Sequence, residues 1–140
     1  MRYLAIDHGQ KRTGLAVSDA SETLVSPHSV IETQNEEELL KRIISVIDEE
    51  KIEAVVIGLP FNMDGSEGLR AKKVRAFGKL LADKLKIQVL YHDERLSSFE
   101  AEQLVVDLEL TRKKKKKRLD AIAAAEILKS FLDANKNGAK

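Results

Sequence analysis

Three acidic positions in this 140-residue chain fall where a carboxylate needs a reason. Asp7 closes the apolar run in LAIDHGQKRTGLAVSD, at the end of what reads as a buried strand. Burying an unpaired charge is costly, so Asp7 reads either as a turn residue ahead of Gly9 or as the holder of a cation. Asp93 and Glu94 follow the last strand-like run, and Asp120 opens the helical pattern LDAIAAAEIL. There Asp120, Ala124, Ile127 and Phe131 share one face. Asp120 is therefore expected in a first turn, aimed at the sheet and favoured as an anion by the helix dipole. Three carboxylates at one sheet edge make a hard-oxygen site, suited to Mg²⁺ or Mn²⁺ and open to a substrate phosphate. Taken singly, each has an ordinary reading: Asp7 as a turn residue, Glu94 as a surface partner of Arg95 or a lysine, Asp120 as a helix-start charge.

Cationic residues flank these acids. Lys11 and Arg12 follow Asp7, and Arg95 follows Glu94. Arg112, Lys113, Lys114, Lys115, Lys116, Lys117 and Arg118 precede Asp120. Outside that run the chain carries 23 acids against 17 cations, so an overall charge of +1 hides an acidic body with one basic spike. Such asymmetry suggests a local contact with a polyanion. A mobile basic loop before Asp120 would guide a nucleic-acid backbone by charge, without reading bases; its ordinary reading is a solvated tract. Aromatic residues are only 4% and none interleave with the lysines, so a base-stacking platform has little support. His8 alternates to the strand face opposite Asp7 and reads as packing or surface.

The elements that must position these residues read as a mixed α/β domain spanning 1–140, ordered to about 134 with a short polar tail. Strands are expected at 2–7, 13–18 and 26–32, the first two joined by a five-residue hairpin connection. Asn35 with Glu38 resembles a capping box and starts a helix over 36–50. A continuous apolar strand at 54–57 leads into the loop GLPFNMDGSEG, which lacks the lysine of a nucleotide-binding P-loop. A helix to about 86, a strand at 88–92, a helix from the Ser97–Glu100 capping box to about 110, and a final helix over 119–134 complete the chain. Three strands, then one, then one, with helices between, give a five-stranded sheet with an antiparallel meander and helices on both faces. Absence of cysteine excludes disulfides and thiolate metal sites. No apolar stretch approaches the ~18 residues of a membrane span. With a strand pattern beginning at the N-terminus, a cytoplasmic protein is expected.

In order, and at close to the same spacing, LAIDHGQKRTGLAVSD, VIGLPFNMDG, HDERLSS followed by Ala101, and LDAIAAAEIL resemble the motifs of the YqgF (RuvX) family, from residue 2 to about 132. The resemblance implies an RNase H-like fold of the RuvC kind in a bacterial cytoplasmic protein. It implies a divalent-metal-dependent endonuclease that matures the 5′ end of precursor 16S rRNA, in a family also labelled Holliday junction resolvase. Its active-site acids fall on Asp7, Glu94 and Asp120, holding one or two Mg²⁺ or Mn²⁺ ions. RuvC-like enzymes usually carry a second acid at the end of the fourth strand. Here that place reads Ile57-Gly58-Leu59-Pro60, and the resemblance implies that the DER motif at Asp93–Arg95 supplies the acid from the fifth strand instead. Lys11, Arg12, Arg95 and the basic run are the expected nucleic-acid contacts, with RNA favoured over a DNA junction and monomer or homodimer open. The alternatives are a four-way-junction resolvase and a non-catalytic RNA-binding module. A fragment of the sugar-kinase and actin-like ATPase fold is disfavoured, because the chain has length for only one of the two domains needed.

Overall fold

In the computed structural model, which describes residues 1–96 and 112–138, one five-stranded sheet organises the chain. The elements are β1 (Tyr3–Asp7), β2 (Arg12–Ser18), β3 (Val25–Glu32), α1 (Glu36–Glu49), β4 (Ala54–Leu59), α2 (Leu69–Lys84), β5 (Gln88–Asp93), a 3₁₀ turn (Glu94–Leu96) and α3 (Arg112–Gly138). Strand order is β3-β2-β1-β4-β5. β1, β2 and β3 form the antiparallel meander, while β4 and β5 add in parallel beyond β1. The C-terminal ends of β1, β4 and β5 therefore open on one edge of the sheet.

Side-chain alternation assigns the two faces. Leu4, Ile6, Val55 and Ile57 pack with Ile43 and Ile47 of α1 and Val74, Phe77 and Leu81 of α2. Tyr3, Ala5 and Val56 face the other way, against Ala124, Ile127, Leu128 and Leu132 of α3. Asp7 continues the Tyr3–Ala5 series and so belongs to the α3 face. His8 falls on the α2 side, its ring against Phe77 with centroids 4.5 Å apart and planes tilted by 34°.

A glycine lets α3 approach. Gly14 is the register partner of Asp7, and a Cβ added to it would lie 1.9 Å from the backbone oxygen of Asp120. The helix backbone thus rests directly on β2 at the point where Asp120 must come close to Asp7. Backbone cannot yield as a side chain tip can. Gly14→Ala is expected to cost about 1–3 kcal/mol, with a lowered melting temperature and a larger fractional loss of activity than of folded protein. Circular dichroism melts run beside cleavage assays measure both.

Asn35 caps α1 as expected, its Oδ1 accepting from the Glu38 backbone N–H at 3.0 Å. The expected helix over 97–110 lies outside the described residues. The final helix departs from expectation. It begins at Arg112, seven residues earlier than the periodicity suggested, and continues to Gly138 past the expected end at 134. The basic run is helical in backbone and not a loop. Asp120 is the ninth residue of α3, so the dipole of a first turn does not act on it. Lysine and arginine are good helix formers and no Gly or Pro interrupts the run; its charge, not its propensity, suggested a loop. Among the described residues, no helix is long and apolar enough to cross a membrane.

Candidate active site

Asp7 ends β1 at the open sheet edge, and Glu94 begins the 3₁₀ turn directly after β5. β4 lies between their strands, so Glu94 must reach across it. Gly58 of β4 lies beneath that crossing. A Cβ there would run into the tip of Ile127, 2.5 Å from its Cδ1, and would make only ordinary contact with Glu94 Cγ at 3.7 Å. The glycine is thus required by the packing of α3 on β4, and the acid absent from the fourth strand leaves Glu94 as the carboxylate that meets Asp7.

The two carboxyls meet. The Asp7 carboxyl is pushed up to about 8 by burial first, then by a hydrogen bond with the Glu94 side chain and by its charge, while Arg70 opposes the shift. Asp120 is also raised, by burial and then by the charge of Asp7, against the pull of Arg12. Arg12 Nε donates to Asp120 Oδ2 at 3.0 Å, across 108 residues of sequence. The three acids are close enough to disturb one another's titration. They do not form a ready-made cage: among the described residues no three His, Cys, Asp or Glu side chains are grouped to hold a metal ion.

The flanking cations are less uniform than their sequence positions suggest. Arg95 is committed to Asp93, its Nε 3.1 Å from both carboxylate oxygens and its Nη2 2.6 Å from Oδ2. Its Nη1 donates to the Asn62 carbonyl at 3.1 Å, and its guanidinium lies over Phe61. Asp93 is correspondingly held below the usual carboxylate range, chiefly by Arg95. That pair braces the turn that carries Glu94. Lys11 stands exposed in the β1–β2 connection. The backbone of residues 112–118 forms the first turns of α3, leading directly to Asp120.

The sequence pattern of the RuvX family, described as Holliday junction resolvase, matches residues 1–134. The chain belongs to this family. A relative from Caldanaerobacter subterraneus subsp. tengcongensis, named "Putative pre-16S rRNA nuclease", is 40% identical over 138 residues, covering 98% of this chain and 99% of its own. A Lactococcus lactis subsp. cremoris relative of the same name is 40% identical over 136 residues, covering 96% and 95%. Among solved structures, T. thermophilus RuvC in complex with a Holliday junction substrate superposes with a TM-score of 0.62 at 18% identity, over 98% of this chain and 96% of that one. Fowlpox virus resolvase with its Holliday junction DNA gives 0.59 at 13%, over 96% and 98%. At such identities these superpositions establish the RNase H-like fold.

Two features of this RuvX chain escaped sequence reasoning. Arg70 of α2 donates from Nη2 to the His8 carbonyl, and its charge acts on both Asp7 and His8. Nothing in the helical pattern distinguishes it from a surface arginine. Gly14 did carry a signal, because an isolated glycine inside a strand marks a close backbone approach. His8 is the packing residue expected: burial, and then Arg70, hold its imidazole down to about 4, neutral at physiological pH.

Proposed function

We propose that this RuvX chain is a divalent-metal-dependent nuclease that hydrolyses phosphodiester bonds of precursor 16S rRNA in the cytoplasm. Asp7, Glu94 and Asp120 form its catalytic centre. The single observation that carries the reading is the buried Asp7 carboxyl pressed against Glu94, with Asp120 in electrostatic reach, on one sheet edge. Asp7 keeps its proton to about pH 8 because of its burial first and then of its hydrogen bond with Glu94 and that group's charge, which together outweigh Arg70. An all-oxygen donor set with that excess of negative charge fits Mg²⁺ or Mn²⁺. When bound, such an ion acidifies a water and neutralises charge developing on the phosphoryl oxygens.

The chain's own residues do the rest. Asp7 and Glu94 present oxygens from two strands, and the Arg95–Asp93 brace keeps Glu94 at the edge. Arg12 orients Asp120 and stands beside the place a phosphate would take; Lys11 adds charge at the tip of the same connection. The basic start of α3 draws the nucleic-acid backbone toward Asp120. Names shared by relatives at 40% identity over nearly the whole chain support the RNA substrate.

Replacing Lys114 and Lys116 by Gln should weaken RNA binding about equally for unrelated sequences. It should also flatten the dependence of log K on log salt by about 0.7 for each single-strand phosphate the chain no longer neutralises; fluorescence anisotropy across a salt series measures it. The substrate itself is tested by offering a 5′-extended 16S precursor and a four-way DNA junction to the purified chain, with its mass in solution measured alongside. Defined cleavage of the precursor supports the proposal. Symmetric resolution of the junction by a dimer, with the precursor left intact, replaces it by the resolvase reading.

A further inference from the structure

On the α2 side of the sheet, behind the strand end that carries Asp7, lies an open cavity of about 500 Å³. One wall is the β1–β2 connection at His8, Gly9 and Gln10; the others are the segment entering α1 and the first half of α2. Its charge is mostly positive. Arg70 and Lys73, one turn apart on α2, face a single acid, Glu36, across the opening. Arg70 is fixed by its bond to the His8 carbonyl, and its planar fork retains further donors for an anion. Lys73 makes no ion pair among the described residues. Gln10 and Gln34 bring two amides to the rim. Among the described residues His8 Nδ1 is buried without a hydrogen-bond partner, and a buried polar atom left unpaired calls for an explanation. The volume suits one small ligand and not a helix of nucleic acid.

We propose that this cavity is a subsite for one unstacked nucleotide of the substrate strand, next to the phosphodiester held at the acids. Its phosphate lies on Arg70 and Lys73, and its base edge meets the amides of Gln10 and Gln34. The inference rests on the nuclease reading and sharpens it, since the strand must be unpaired where it enters the cavity. Arg70, which lines the cavity, also acts by its charge on Asp7 at the end of β1, so the two places lie close enough for neighbouring nucleotides of one strand passing around that strand end.

The test uses the full chain in chelator, where no turnover occurs. Amide chemical shifts are followed by NMR during titration with adenosine 5′-monophosphate, uridine 5′-monophosphate and inorganic phosphate, and then with a short single-stranded oligoribonucleotide. The mononucleotides are expected to shift residues 8–10, 33–36 and 70–77, more strongly than phosphate does. Lys73→Glu, an exposed change that leaves the sheet packing alone, is expected to weaken them by about tenfold. Gln10→Ala should weaken the nucleotides but not phosphate. The oligoribonucleotide is expected to displace the mononucleotide. Shifts elsewhere, or equal affinity in Lys73→Glu, overturn the subsite; an oligoribonucleotide that binds without displacing the mononucleotide overturns its assignment to the substrate strand. An unfilled cavity in a chain that still cleaves counts against this subsite alone. A filled cavity in a chain that never cleaves counts against the nuclease reading alone.

Discussion

Asp7→Asn abolishes cleavage, lowering kcat by about three orders of magnitude or more, while raising the melting temperature of the metal-free protein near pH 8. Loss of a carboxylate that helps hold the ion removes several kcal/mol of charge stabilisation in the transition state, and each 1.36 kcal/mol is a factor of about ten. The stability effect has the opposite sign. Asp7 is buried against Glu94 and stays protonated to about pH 8, so its anion is an unfavourable occupant of the fold without a cation. Asn keeps the shape and can donate to Glu94 but carries no charge. Relief of about 1 kcal/mol or more would raise the melting temperature of a chain this long by about 3 °C or more. RNA binding in chelator should survive, because the cations that contact phosphate are untouched. Single-turnover cleavage, calorimetric melting and anisotropy on the same preparation separate the three. A mutant that is inactive because it is unfolded would fail the second and third.

The metal-free protein should lose stability as pH rises from about 4 to about 8, and a divalent cation should restore it at the upper end. Asp7 has an ordinary value of 3.8 and a folded value of about 8. Between these the unfolded chain has released this proton while the folded chain keeps it, so unfolding gains ground with each pH unit. Below about 4 both states are protonated and the penalty is absent; above about 8 both are ionised and it stops growing. Asp120, raised by burial and by Asp7, adds to the same trend. Mg²⁺ or Mn²⁺ binds the folded carboxylates in preference to the unfolded ones and stabilises by RT ln(1 + [L]/Kd), growing with the logarithm of its concentration above Kd. Glu94→Gln removes a like charge beside Asp7 and should make the pH slope shallower. Chemical denaturation at a series of pH values, with and without Mn²⁺, measures it. A stability that rises smoothly from pH 4 to pH 8 in chelator would contradict this electrostatic account.

Most of the frame was legible because it rests on local pattern. Periodicity in Leu39, Leu40, Ile43 and Ile47 marked α1, Asn35 marked its start, and the apolar run through Val55 and Ile57 marked a strand covered on both faces. Strand alternation correctly sent Asp7 and His8 to opposite sides. What stayed hidden depends on contacts distant in sequence. Arg12 reads as a free cation of a turn until the fold delivers Asp120 to it. Arg95 could be assigned to a phosphate or to an acid, and only the turn after β5 commits it to Asp93. Arg70 has no local mark at all. The start of α3 was misjudged for another reason, since composition suggested a solvated tract where helix propensity suggested continuation. Gly58 is the most instructive case. Its sequence position showed that a fourth-strand acid was missing, but only the packing shows that the glycine there makes room for the tip of Ile127 of α3.

End-mapped cleavage of a 5′-extended 16S precursor tests the central claim most directly, run with Mn²⁺, with chelator, and with Asp7→Asn in the presence of Mn²⁺. The three-carboxylate account predicts one defined product bearing a 5′-phosphate in the first reaction and none in the other two. The same product in chelator, or at the wild-type rate from Asp7→Asn, would contradict it.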